Sequence, residues 1–222
     1  VSSKKEVVYQ VFTRLFGNKN TTNKPWGTIE ENGVGKFNDF TDTALREIKD
    51  LGVTYIWYTG VPHHALIRDY SAIGVSNDDP EVVKGRAGSP YAVKDYYNVN
   101  PDLAVNPAHR LQEFEALIAR THKVGLKVII DIVRKYEGKN NPVGIRDFGA
   151  DDDTTVEYKR DNNFYYIPNT HFEVPDTDQP LNVEKNLLIN NKFEEFPAKW
   201  TGNGSRLAKP DRDDWYETVK VN

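Results

Sequence analysis

The chain has 222 residues with 29 basic and 33 acidic side chains interspersed along it, and this net charge of −4 excludes the basic stripe of a nucleic-acid footprint and fits a neutral polar ligand better. No apolar run approaches the roughly 20 residues that span a bilayer, and Val1-Ser-Ser-Lys-Lys-Glu6 lacks the apolar core of a signal peptide. Cysteine and methionine are both absent, which rules out disulfides, thiolate chemistry and cysteine zinc sites and marks the sequence as a processed, trimmed or incomplete version of a gene product.

The first element in chain order is a strand over 6–16, dense in β-branched and aromatic residues and closed by the turn-forming run 17–25. A helix follows over about 40–51. Thr41 or Asp42 caps it, Leu45, Ile48 and Leu51 recur at helical spacing, and Gly52 supplies a left-handed stop. The second strand is 53–59, and the order strand, helix, strand is a right-handed βαβ unit that implies a parallel sheet. From 60 to 105 there is no clean periodicity, and Gly74, Pro80, Gly85, Gly88 and Pro90 punctuate a long loop. Loops of this length in a compact domain are usually functional.

A second helix begins at Asn106-Pro107 and runs through Leu111, Phe114, Leu117 and Ile118 to Gly125. The third strand is Leu126-Lys-Val-Ile-Ile-Asp-Ile-Val133, a short β-branched run that suits burial on both faces of a parallel sheet. Asp131 is costly there: burying an unpaired carboxylate costs on the order of several kcal/mol, so it is expected to reach the open end of the strand or find a partner. The carboxyl end of a barrel strand is where chemistry sits. Anchoring a neighbouring loop is the alternative, and the residues alone leave both open. Two βαβ units in tandem favour a (β/α) barrel or an open doubly wound sheet.

Beyond 133 the pattern turns charged and irregular and reads as a loop-rich subdomain with short strands, giving a division into 1–133 and 134–222. The triplet Asp151 to Asp153 offers oxygens to a hard cation, but it lacks the alternating spacing and glycine of a calcium loop and reads as a solvated turn. Trp200 and Trp215 are either core residues or sugar platforms. His122, on the second helix, reads as surface or packing. No phosphate-cradling glycine loop follows the first strand, which disfavours a nucleotide enzyme.

Three stretches carry a resemblance. Ser89-Pro-Tyr-Ala-Val-Lys-Asp-Tyr-Tyr-Asn-Val-Asn-Pro101, the third strand with Asp131-Ile-Val133, and Asp214-Trp-Tyr-Glu-Thr-Val-Lys-Val-Asn222 resemble the α-amylase superfamily of glycoside hydrolases, particularly its bacterial glucan-degrading members. The resemblance implies an α/β fold of the (β/α)8 TIM-barrel type, here incomplete at about the first three β/α units, with a loop-rich subdomain inserted after the third strand. It implies that Tyr91 stacks on the sugar ring where cleavage occurs, which agrees with the apolar face of a pyranose and the tyrosine's free hydroxyl. It places Asp131 in the polar network under that subsite. Of the adjacent His63 and His64, at most one is expected to hydrogen-bond sugar hydroxyls, and His64 is the candidate. Asp95, Tyr96 and Tyr97 are expected to support the loop.

The sequence departs from the family in two places. After Val133 the family's Asn and His give way to Arg134 and Lys135, so either residues are deleted here or a loop is missing. The first of those residues is associated with calcium in many members, so calcium is possible in the parent family but its expected ligand is not present here. The family's nucleophile aspartate, general-acid glutamate and transition-state aspartate follow the fourth, fifth and seventh strands, beyond this sequence. Retention needs two carboxyl groups about 5 Å apart. The substitutes within reach, Gly144-Ile-Arg-Asp147 and Arg212-Asp-Asp214, read as surface charges. The resemblance therefore implies part of a retaining hydrolase of α-1,4-glucosidic bonds in starch-like glucans, inactive alone, with an α-glucan as partner and an extracytoplasmic location. The alternatives are a non-catalytic glucan-binding or interaction protein, which would be stable and monodisperse, and a transglycosylase or isomaltose-type hydrolase of the same superfamily.

Overall fold

The computed structural model describes residues 5–83, 85–131, 149–175 and 191–222. Its contacts divide into two units, one of Val1–His63 and Asp95–Ile132 and the other of His64–Lys94 and Val133–Asn222. One crossing point comes after Ile132. The other two fall inside the long loop, whose segment 64–94 groups with the later residues.

The first unit is built on strand β1 (Val8–Phe12), helix α1 (Ile29–Asn32), helix α2 (Asp42–Asp50) and strand β2 (Tyr55–Thr59). The short paired strands β3 (Pro62–His64) and β4 (Val93–Val99) straddle the unit boundaries in sequence, and helix α3 (Arg110–Lys123) and strand β5 (Lys127–Ile130) complete the first unit. The sheet order is β1-β2-β5. Both pairings are parallel, with Tyr9 opposite Ile56 and Ile56 opposite Val128. Two strand–helix–strand passages in one parallel sheet are the arrangement expected from the two helical periodicities.

Helices α1 and α2 start where side chains satisfy orphan amides, whereas α3 continues a 3-10 turn over Pro107–His109 that Asn106 caps and has no side-chain cap of its own. Thr41 accepts from the Ala44 amide at 3.2 Å at the head of α2, and Asn106 accepts from the Ala108 amide at 3.1 Å before α3. Thr28 and Glu31 form a reciprocal capping box around α1. Leu45 and Ile48 of α2 and Phe114 and Leu117 of α3 bury against Ile56, Tyr58 and Leu126. Each fully buried side chain of this size contributes about 1.5–3 kcal/mol. Phe16 stacks on Phe40 at 4.1 Å between centroids, and Phe40 meets Tyr58 edge-on at 5.0 Å. Thr121 donates its only hydroxyl proton to the Leu117 carbonyl, so the Tyr58 hydroxyl, 2.7 Å from Thr121 Oγ1, is the donor of that pair. Burial pushes the Tyr58 phenol up to about 12.

The structure differs from the sequence reading in the stretch 60–105, read as a loop, which holds β3 and the seven-residue β4, and in the first strand. The first strand stops at Phe12 because residues 13–17 turn, with the Leu15 and Phe16 amides both bonded back to the Phe12 carbonyl. Among the described residues β5 pairs only with β2, and its ends are exposed and its middle residues half-buried.

The second unit gathers smaller cores. Leu66, Tyr70 and Val75 form one, Val82, Phe172, Ala198 and Tyr216 another. Strands β6 (Tyr166–Ile167) and β7 (Ala198–Lys199) pair antiparallel, and isolated bridges join Phe164 to Val221 and Thr201 to Val219. Few long elements are available here, so side chains organise the loops. The buried Glu81 accepts from the amides of Asn191 and Phe193. Lys94 and Asp78 form an ion pair at 2.6 Å with side chains 8% and 2% exposed. Lys94 also donates to the Ser76 carbonyl, and Asp78 accepts from the Leu66 amide. Burial pushes the Asp78 carboxyl up, with the Lys94 ammonium pulling against it.

Candidate functional site

In a parallel sheet with crossover helices the chemistry gathers at the carboxyl ends of the strands. In the first unit those ends are Phe12 on β1, Thr59 on β2 and Ile130 on β5. Asp131 follows β5 directly and finds partners on β2. Its Oδ1 accepts from the Trp57 indole at 2.6 Å and its Oδ2 from the Gly60 amide at 3.3 Å. One carboxylate thus ties two strand ends together, and it remains only half-buried. The Gln10 side chain donates to Thr59 Oγ1 at 3.0 Å and joins β1 to the same line.

Beyond β1, Arg14 donates to Asp102 at 2.7 Å, with the Asp102 side chain 4% exposed. Lys36 donates to the carbonyls of Asp102 and Ala104 at 2.5 and 3.0 Å, and the Asn100 side-chain oxygen accepts from the Asp102 amide at 2.9 Å. Thr13 Oγ1 and Asn100 Nδ2 are buried with no hydrogen-bond partner among the described residues. Unpaired buried polar atoms are rare, and they accompany bound water, strain or function.

Tyr91 and His64 lie in the second unit. The Tyr91 ring is 45% exposed, and its backbone amide bonds to Ser89 Oγ at 3.3 Å just before β4. His64 is buried, with Nε2 2.9 Å from the Ala87 carbonyl. A carbonyl only accepts, so Nε2 carries the proton. Ala65 bonds to the Ala92 carbonyl at 3.0 Å, and the backbone of Gly88 passes so close that a Cβ there would sit 1.8 Å from the Ala65 carbonyl oxygen. His64 therefore braces the turn that leads to Tyr91. Asp131 belongs to the other unit.

The remaining candidates are structural in their contacts. Asp152 accepts from the Asn163 amide and side chain, the Tyr166 hydroxyl and the Phe164 amide at 2.8–3.1 Å. Asp153 accepts from Thr155 and Lys159. These carboxylates organise a turn that stays partly exposed, and among the described residues no group of three or more acidic or histidine side chains is arranged to hold a metal. Asp214 accepts from Asn203 and the Asp211 amide, and His122 is exposed on α3. Trp200 is buried and donates to the Tyr166 carbonyl at 3.0 Å, whereas Trp215 is 44% exposed. Positions 134, 135 and 144–147 lie outside the described residues.

The sequence reading did not single out Trp57, Gly60 or the Arg14–Asp102 pair. Trp57 carried a usable signal: a tryptophan in a strand needs a partner for its indole N–H, and a strand-end aspartate is the natural acceptor.

The chain belongs to the alpha-amylase family, whose catalytic-domain model matches residues 10–206. That family's catalytic domain is a TIM-type barrel, and its members are glycoside hydrolases and related enzymes acting on α-glucans. The chain is 30% identical to a 1,4-alpha-glucan-branching enzyme of Rhizophagus irregularis over 56% of its own length and 15% of the relative's. It is 29% identical to the trehalose-6-phosphate hydrolase of Bacillus subtilis over 59% of its length and 17% of that enzyme. The chain thus spans less than a fifth of the length of these curated relatives. Among solved structures, a maltogenic alpha-amylase of Thermotoga neapolitana matches with a TM-score of 0.43 and 17% identity, covering 73% of this chain and 30% of that one.

Proposed function

We propose that this chain is the amino-terminal part of a retaining hydrolase of α-1,4-glucosidic bonds in starch-like glucans, holding the first three barrel strands and most of the inserted subdomain. The observation that carries the proposal is the family match over 10–206, joined to a carboxylate at the end of the third parallel strand that is held by Trp57 and Gly60. Tyr91, 45% exposed, stacks on a glucose ring through its apolar face. Asp131 belongs to the polar network at the carboxyl end of the sheet. His64 serves the sugar indirectly, through the turn that carries Tyr91. By the family's pattern the attacking and proton-donating carboxyls follow the fourth and fifth strands, so the 222 residues alone are inactive. A polymeric substrate that does not cross membranes favours an extracytoplasmic location.

The test is release of reducing ends from amylose, by the full gene product and by the 222 residues separately. The proposal expects turnover from the former and none from the latter. A full product that binds amylose without cleaving it would replace the hydrolase with a non-catalytic glucan-binding protein. Cleavage by the 222 residues alone would overturn the assignment of the carboxyls to later strands.

A further inference from the structure

Three aromatic rings in the second unit stack in series. Tyr158 lies on Tyr165 with centroids 5.4 Å apart and planes 24° from parallel, and Tyr165 lies on Trp200 at 4.8 Å and 29°. The inner end is closed: Trp200 is buried, its indole donates to the Tyr166 carbonyl, and the Arg206 guanidinium covers it at 4.3 Å. The Lys220 ammonium sits over Tyr165 and Trp200 at 5.1 and 5.5 Å. The outer end is open, with Tyr158 55% exposed.

The chain on both sides of Tyr158 is pinned. The Glu157 carbonyl accepts from the Tyr166 amide at 3.1 Å, and the carbonyls of Lys159 and Arg160 accept from the Asn222 side chain at 3.2 Å each. Lys159 is further held by Asp153 at 3.2 Å. Scattered exposed aromatics are ordinary on protein surfaces, but this ring is backed by two others and its backbone is held before and after it. Binding on such a ring costs little ordering entropy.

We propose that Tyr158 is a sugar-binding platform of the inserted subdomain, separate from Tyr91, that takes one glucose ring of an α-glucan chain against its open face. The pyranose presents apolar C–H groups to the ring, and its hydroxyls stay in water. The proposal rests on the α-glucan reading for the identity of the ligand.

The experiment is electrophoresis of the full gene product and its Tyr158→Ala and Tyr158→Phe variants through native gels containing graded glycogen. Retardation of the unaltered protein is expected, with apparent affinity about fivefold weaker for Tyr158→Ala and within about twofold for Tyr158→Phe. Equal retardation of all three, or equal loss in both variants, would overturn the platform while leaving the glucan reading in place. An unaltered protein that glycogen does not retard would overturn both.

Discussion

Asp131 connects strand ends through two hydrogen bonds, one of them from an indole whose only polar atom has this acceptor. Asp131→Ala leaves that N–H and the Gly60 amide without the carboxylate, at a cost of about 1–3 kcal/mol. The expected result is an earlier urea midpoint of the tryptophan-monitored transition, with a smaller shift for Asp131→Asn, which keeps one acceptor oxygen. An unchanged midpoint in Asp131→Ala would show that these bonds do not support the strand ends. At Asp152, partial burial pushes the carboxyl up, but hydrogen bonds from Asn163, Tyr166 and Phe164 outweigh it and hold it below the ordinary carboxylate range. A carboxyl depressed on folding adds stability that is complete above its unfolded value and lost as pH falls through its folded one. The stability gap between the unaltered protein and Asp152→Asn is therefore expected to be widest near neutral pH and to close below about pH 4. A gap independent of pH would contradict this.

Among the elements, the excursion 64–94 depends on one buried charge pair, Lys94 with Asp78. Lys94→Met strands a buried carboxylate and is expected to cost about 3–5 kcal/mol. The double variant Lys94→Met with Asp78→Asn keeps an acceptor for the Leu66 amide and removes the stranded charge, so it is expected to recover part of that loss in thermal or urea denaturation. A double variant no more stable than the single would contradict the assignment. The regular elements were legible in the sequence: Leu45 and Ile48 mark the inner face of α2, Thr41 and Asn106 mark helix starts, and the β-branched runs mark β2 and β5. The strands β3 and β4 were not legible, because glycines and prolines break any periodicity in the stretch 60–105 that holds them. The pairing of Lys94 with Asp78 was also hidden, since it joins residues sixteen apart across a stretch with no periodicity.

For the whole molecule, order along the chain was easier to read than grouping in space. The alternation of strand and helix up to β5 follows from local periodicity, and the family match over 10–206 agrees with the resemblance carried by Tyr91, Asp95, Tyr97, Asn100 and Asp131. The association of 64–94 with residues after 133 depends on contacts such as Glu81 with the Asn191 and Phe193 amides. No local pattern announces a glutamate whose acceptors serve a loop more than a hundred residues away. The same holds for Asp152, whose place in an acidic triplet suggests solvent or a cation and whose partners are all protein groups.

The most direct test of the central claim is proton NMR of the anomeric signals released from maltoheptaose by the full gene product in the first minutes of reaction. Retaining hydrolysis of α-1,4 bonds predicts that the new reducing ends appear first as the α-anomer and only later mutarotate. Initial appearance of the β-anomer, or no hydrolysis at all, would contradict it.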